Sequence, residues 1–121
     1  MTQILKEGEG WRLGWKPEAS VFQGLVGGYA WAFELTAAEL NDFCRLVQQL
    51  DRTMHEMAER LMDEEKLTCE AESDRLWLEA TGYPDAYELR LIVQSGRAVE
   101  GCWEATAVPE LVLAVKTLKS F

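Results

Sequence analysis

A chain of 121 residues, 48% hydrophobic and 27% charged, reads as one domain able to bury a core without a disulfide or metal staple. Its net charge of −9, from 12 basic and 21 acidic residues, weighs against nucleic-acid and anionic-membrane partners. No apolar run is long enough to span a bilayer, the N-terminus MTQILKEGEG lacks the layout of a signal peptide, and Cys44, Cys69 and Cys102 form no C-x-x-C pair. The expectation is a cytoplasmic protein with reduced thiols.

In chain order, residues 2–6 are read as a short extra strand. Trp11, Leu13 and Trp15 alternate with Arg12 and Gly14, which predicts a strand with one buried face. Lys16 to Ser20 is a turn, Val21 to Val26 another strand, and Gly27-Gly28 a two-residue hairpin turn. Tyr29, Trp31, Phe33 and Leu35 then alternate along a further strand. A long amphipathic helix follows from Thr36 to about Glu65, a rod of roughly 45 Å. Thr36 and Glu39 stand at capping-box spacing, and Leu40, Phe43, Cys44, Val47, Leu50, Met54, Met57, Ala58 and Leu61 share one face.

After the helix, Cys69 and Ala71 alternate with Glu70 and Glu72, Ser73-Asp74 turns the chain, and Arg75 to Thr81 is a strand. Gly82 to Ala86 is a turn. Tyr87, Leu89, Leu91 and Val93 mark the next strand, Ser95-Gly96 a tight hairpin, and Arg97 to Glu104 the last strand. Pro109 opens a second, shorter helix that ends near Lys119. The two strand-to-helix joints repeat: WAFELTAAEL from Trp31 and WEATAVPEL from Trp103. A weak repeat of a four-strand-plus-helix unit follows, residues 1–66 and 67–121. The predicted fold class is α+β: a β4-α-β4-α helix-swapped pseudodimer, with antiparallel meanders on one long central and one shorter C-terminal helix.

The stretches GWRLGW (Gly10 to Trp15), LVGG (Leu25 to Gly28), WAFELT (Trp31 to Thr36), LMDEEKLTCEAESDRLWLEA (Leu61 to Ala80) and GRAVEGCWEA (Gly96 to Ala105) resemble a small cyanobacterial family known as domain of unknown function 1818. The resemblance implies a fold similar to the single-stranded-DNA-binding regulators of the whirly and Pur-alpha type. It implies no activity.

Two surfaces are candidates. Trp11, Arg12, Trp15, Arg97 and Trp103 make a candidate interaction surface, because exposed aromatics stack bases at about 1–3 kcal/mol each. The competing reading is that these rings fill the core. Asp63, Glu64, Glu65, Glu70, Glu72 and Asp74 make a candidate acidic patch, otherwise read as a solvated edge that discourages strand pairing. His55 is the only histidine, which excludes histidine-rich zinc sites within one chain, and it reads as a helix-surface residue. Neither Cys44 nor Cys102 has the basic neighbours that would activate a thiolate. No catalytic constellation, metal site or cofactor is expected. The leading reading is a non-enzymatic module that binds another protein, and the alternative is a single-stranded nucleic-acid binder. A small-molecule enzyme, using a cleft between the repeats lined by tryptophan, Arg97 and Glu100, stands third. The chain is expected to be a monomer or a weak dimer through Met57, Leu61 and Met62.

Overall fold

The computed structural model describes residues 3–58 and 65–118. Strands β1 (Ile4–Gly8), β2 (Trp11–Trp15), β3 (Gly24–Gly27) and β4 (Ala32–Leu35) lead into α1 (Ala37–Ala58). Strands β5 (Leu67–Glu72), β6 (Leu76–Tyr83), β7 (Ala86–Val93) and β8 (Glu100–Trp103) lead into α2 (Val108–Thr117). Each set of four strands is one antiparallel meander in sequence order. The fold is therefore α+β with a repeated β4-α plan, as the two similar joints predict.

Alternation sets the register. Leu13 pairs with Val26, and Val26 with Phe33, so β2, β3 and β4 turn the same apolar row inward. In the second sheet Leu78 pairs with Leu91, and Leu91 with Gly101, on the inward row. The helices exchange sheets. α1 lies chiefly on β5 and β6, while α2 lies more on β2 than on β7, and the two helices touch each other. One continuous core joins both halves, from Leu13 and Val26 through Phe43, Leu46 and Leu50 to Leu78, Leu91 and Leu111. Neither sheet–helix unit has a private core, because each helix needs the other half's sheet to cover its apolar face.

The start of α1 matches the sequence. The Thr36 N–H donates to Glu39 Oε1 at 2.9 Å and the Glu39 N–H to Thr36 Oγ1 at 3.1 Å, a closed capping box. The described helix runs 22 residues, and the expected continuation over 59–64, with Leu61 and Met62 of the predicted dimer contact, lies outside the described residues.

Three turns differ from their predictions. Gly27 ends β3 and pairs with Ala32, and the loop of residues 28–31 is closed by the Gly28 N–H on the Trp31 carbonyl at 2.9 Å. The predicted strand from Tyr29 thus shortens to Ala32–Leu35, because Trp31 reaches across to β8, its indole N–H donating to the Cys102 carbonyl at 3.2 Å. Residues 21–23 stay outside β3, since Gln23 turns its side-chain oxygen to the Ala37 N–H at 3.0 Å and so helps cap α1. Finally, residues 94–99 form a loop instead of a tight hairpin, because Ser95 and Arg97 are drawn to Glu39. The loop holds Gly96 at φ 90° and Ala98 at φ 54°, left-handed backbone that glycine takes freely and alanine only under constraint.

Candidate interaction surface

The first candidate surface does not form. Trp11, Trp15 and Trp103 are 7%, 6% and 1% exposed, so all three rings belong to the core. Their strand positions force this: in β2 the even residues Arg12 and Gly14 face out, and in β8 Gly101 and Trp103 face in. Two of the buried indoles are also bonded. Trp11 Nε1 donates to Glu110 Oε1 at 2.9 Å and Trp103 Nε1 to the Gly27 carbonyl at 2.8 Å. Arg12 is half-buried on the outer face of the first sheet, and Arg97 lies elsewhere, over the ring of Phe22.

Arg97 belongs to a paired motif that sequence reasoning missed. Two loops of the second sheet each carry Ser-x-Arg, Ser73 to Arg75 and Ser95 to Arg97, and each clamps one buried acid of α1. Ser73 Oγ donates to Asp42 Oδ2 at 2.7 Å, with Arg75 at 3.3 Å. Ser95 Oγ donates to Glu39 Oε2 and Arg97 Nη2 to Glu39 Oε1, both at 2.6 Å. A further Arg97 donor meets the Glu34 carbonyl of β4 at 2.6 Å. The serine-spaced arginines were a readable signal, but only the fold brings Glu39 and Asp42 opposite them. These arginines hold the halves together.

The acidic residues form a larger surface than predicted. Glu70 and Glu72 are exposed on the outer row of β5, with Glu65 and Asp74 exposed at its two ends, while Asp63 and Glu64 lie outside the described residues. Register extends that row across the sheet. Glu70 pairs with Glu79, Glu79 with Arg90 and Arg90 with Cys102; Glu72 pairs with Trp77, Trp77 with Ile92 and Ile92 with Glu100. Thr81 and Glu88 form the next outward pair. Five carboxylates thus share one face with one guanidinium. Arg90 sits 5.8 Å from the Trp77 ring centroid and is held by Glu100 Oε2 at 2.8 Å, which together with Glu79 pushes its pKa above the ordinary arginine value. Trp77 and Ile92 are half-buried in the row that ends β5, between Glu72 and Glu100.

At the β8 edge this face runs into a groove of about 510 Å³ between the halves, lined by Tyr29, Trp31, Arg90, Glu100, Cys102 and Glu104 among others. Tyr29 is 60% exposed and its hydroxyl donates to Glu9 at 3.2 Å. The thiol of Cys102 is pushed up, first by burial and then by Glu88, with Glu104 and Glu100 adding and Arg90 opposing. It is a poor nucleophile at neutral pH. Of the predicted cleft, Trp31 and Glu100 are here and Arg97 is not. Among the described residues, no group of three or more His, Cys, Asp or Glu side chains is placed to hold a metal ion. No described helix is long and apolar enough to cross a membrane.

The profile of DUF1818, a domain of unknown function, matches residues 6–118, nearly the whole chain. The chain belongs to the DUF1818 family. A crystal structure at 1.80 Å of a protein of unknown function from Prochlorococcus sp. NATL2A, described as from the DUF155 family, superimposes with a TM-score of 0.88. It is 30% identical, and the match covers 94% of this chain and 97% of that one. Comparison with curated proteins returns no match. The DUF1818 domain thus includes both meanders and both helices, and the surfaces above are surfaces of that domain.

Proposed function

We propose that this DUF1818 chain is a non-enzymatic interaction module that binds another protein through the outer face of the second sheet, and that the partner presents a basic surface. One observation carries the reading. Glu70, Glu72, Glu79, Glu88 and Glu100 face outward, Glu72 and Glu100 at either side of Trp77 and Ile92, with Arg90 as the one opposing charge among these paired strand residues. A half-buried apolar pair flanked by like charge is the pattern of an interface core beside a steering rim.

The alternative, a single-stranded nucleic-acid binder of the whirly or Pur-alpha type, loses the residues it needs. Trp11, Trp15 and Trp103 point inward, and Arg75, Arg90 and Arg97 are each held by a carboxylate at 3.3, 2.8 and 2.6 Å. A polyanion approaching the acidic face is repelled.

The test is affinity capture from the native host's lysate at low and high salt, with wild type and a Glu79→Lys/Glu88→Lys double variant as baits. The expected result is a basic protein retained by wild type, released by salt and absent from the variant. Equal retention by both baits, or retention of single-stranded DNA by wild type, overturns the reading.

A further inference from the structure

A second site lies away from the acidic face, where the end of α1, the middle of α2 and the β6–β7 turn meet. Asp51, on α1, is only 14% exposed at its side chain. Its carboxylate receives the Tyr87 hydroxyl on Oδ1 at 2.8 Å and faces Lys116 Nζ at 3.6 Å from Oδ2. The remaining neighbour is His55, one turn on. His55 Nδ1 lies 2.7 Å from the Asp51 carbonyl oxygen and 3.4 Å from Oδ1. Both of those neighbours only accept, so the proton of the neutral ring sits on Nδ1 and Nε2 carries a lone pair. The tyrosine is fixed in the same network. Burial first, then its bond to Asp51, raises the Tyr87 phenol above its ordinary value and keeps it a donor.

These polar groups stand at one side of a groove of about 410 Å³ whose other wall is apolar: Val108, Pro109, Val112 and Leu113 of α2. That volume lies within the range of small-molecule sites, and a few convergent polar groups against an apolar wall are their usual composition. Leu113 is the most exposed of the large apolar side chains in the described residues. The head group can be read from what is left unfilled. Asp51 already has the Tyr87 hydroxyl as a donor and Lys116 as its counter-charge, so a ligand cation is not required there. Lys116 faces Asp51 at 3.6 Å as an ion pair, beyond hydrogen-bond reach, so its N–H groups can turn to a ligand, and His55 offers an acceptor beside them. A fixed acceptor next to a spare donor suits a group that both donates and accepts without charge.

We infer that the groove between α2 and the end of α1 binds a small neutral molecule with an apolar body and one hydroxyl, the hydroxyl donating to His55 Nε2 and accepting from Lys116. This site is independent of the proposed protein surface. Neither the helical spacing of His55 nor the position of Lys116 signals it in the sequence, because Tyr87 arrives from another strand.

The test is nuclear magnetic resonance on the full chain, titrated with three matched probes: cyclohexanol, cyclohexylammonium and cyclohexanecarboxylate. Cyclohexanol should give saturable shifts at the Val112 and Leu113 methyls and at the His55 ring, with both ionic probes at least about fivefold weaker. His55→Phe, at an exposed position, and Lys116→Met should each weaken cyclohexanol about fivefold while leaving the remaining spectrum unchanged. Absence of saturable shifts with every probe removes the site. Tighter binding of either ionic probe, or undiminished binding by His55→Phe, overturns the head-group assignment.

Discussion

The two halves follow one plan and finish it differently, first at the joint between sheet and helix and then on the outer face of the sheet. In the first half Glu39 is 3% exposed and accepts from the Thr36 N–H, Ser95 and Arg97. In the second half the corresponding Glu110 is exposed, accepts the Trp11 indole N–H, and no side chain caps the helix start. The outer faces diverge too. Leu5, Gly14 and Leu25 line up beside Glu34 on the first sheet, and Glu7 pairs with Arg12. The second sheet carries the carboxylate field. A repeat can therefore keep its backbone while one joint becomes an ionic lock and one face becomes a charged surface, since strand alternation isolates the outer row from the core.

The largest effect should come from breaking the lock. Glu39→Ala leaves Arg97 and Ser95 facing an empty acceptor; removing one partner of a buried pair costs about 3–5 kcal/mol, and the partial exposure of Arg97 reduces this to about 2–3 kcal/mol. Glu110→Ala loses one hydrogen bond at an exposed acid and should cost about 1 kcal/mol. Urea unfolding of both variants measures the difference, and equal costs would erase the distinction between the joints.

Next comes alkaline stability, which probes what α1 carries into the second sheet. Burial pushes the Cys44 thiol up to about 12 from an ordinary 9.0, and Tyr87 is raised in the same sense. The unfolded chain therefore releases these protons at lower pH than the folded one. Their stabilisation is complete below pH 9 and is lost progressively as pH rises toward 12. The urea midpoint should fall over that window, and Cys44→Ala with Tyr87→Phe should flatten the fall.

Smaller still is the effect of charge on the outer face. Glu79→Lys/Glu88→Lys moves the net charge from −9 to −5, since each exchange adds two. Stability should stay within about 0.5 kcal/mol, because neither side chain packs in the core. A loss above that would mean the face has a structural duty. The smallest perturbation is thiol labelling of the native chain, read by mass spectrometry: Cys102 should react first, half-buried Cys69 more slowly, and buried Cys44 only on unfolding. Early modification of Cys44 would break the assignment of its face of α1 to the core.

Much of the plan was legible because period two and period three-and-a-half leave direct marks. Trp11-Leu13-Trp15, the Thr36–Glu39 box and Pro109 each fixed an element from local chemistry alone. The turns were less legible. Gln23, Ser95 and Arg97 looked like turn or strand residues, and each instead spends its side chain on α1. The candidate surface suffered more. Alternation told which residues share a face of a strand but left open which face is inward, so for Trp11, Trp15 and Trp103 the surface and the core readings both stood until the sheets met their helices.

From the sequence alone came the element order, the repeat and the long capped helix, all consequences of spacing along one chain. Only the tertiary structure decided that the helices exchange sheets, that Glu39 and Asp42 meet Ser-x-Arg loops far along the chain, and that Asp51, His55, Tyr87 and Lys116 converge. Those contacts join distant segments through a shared core, and linear spacing carries no record of which segments that core will bring together.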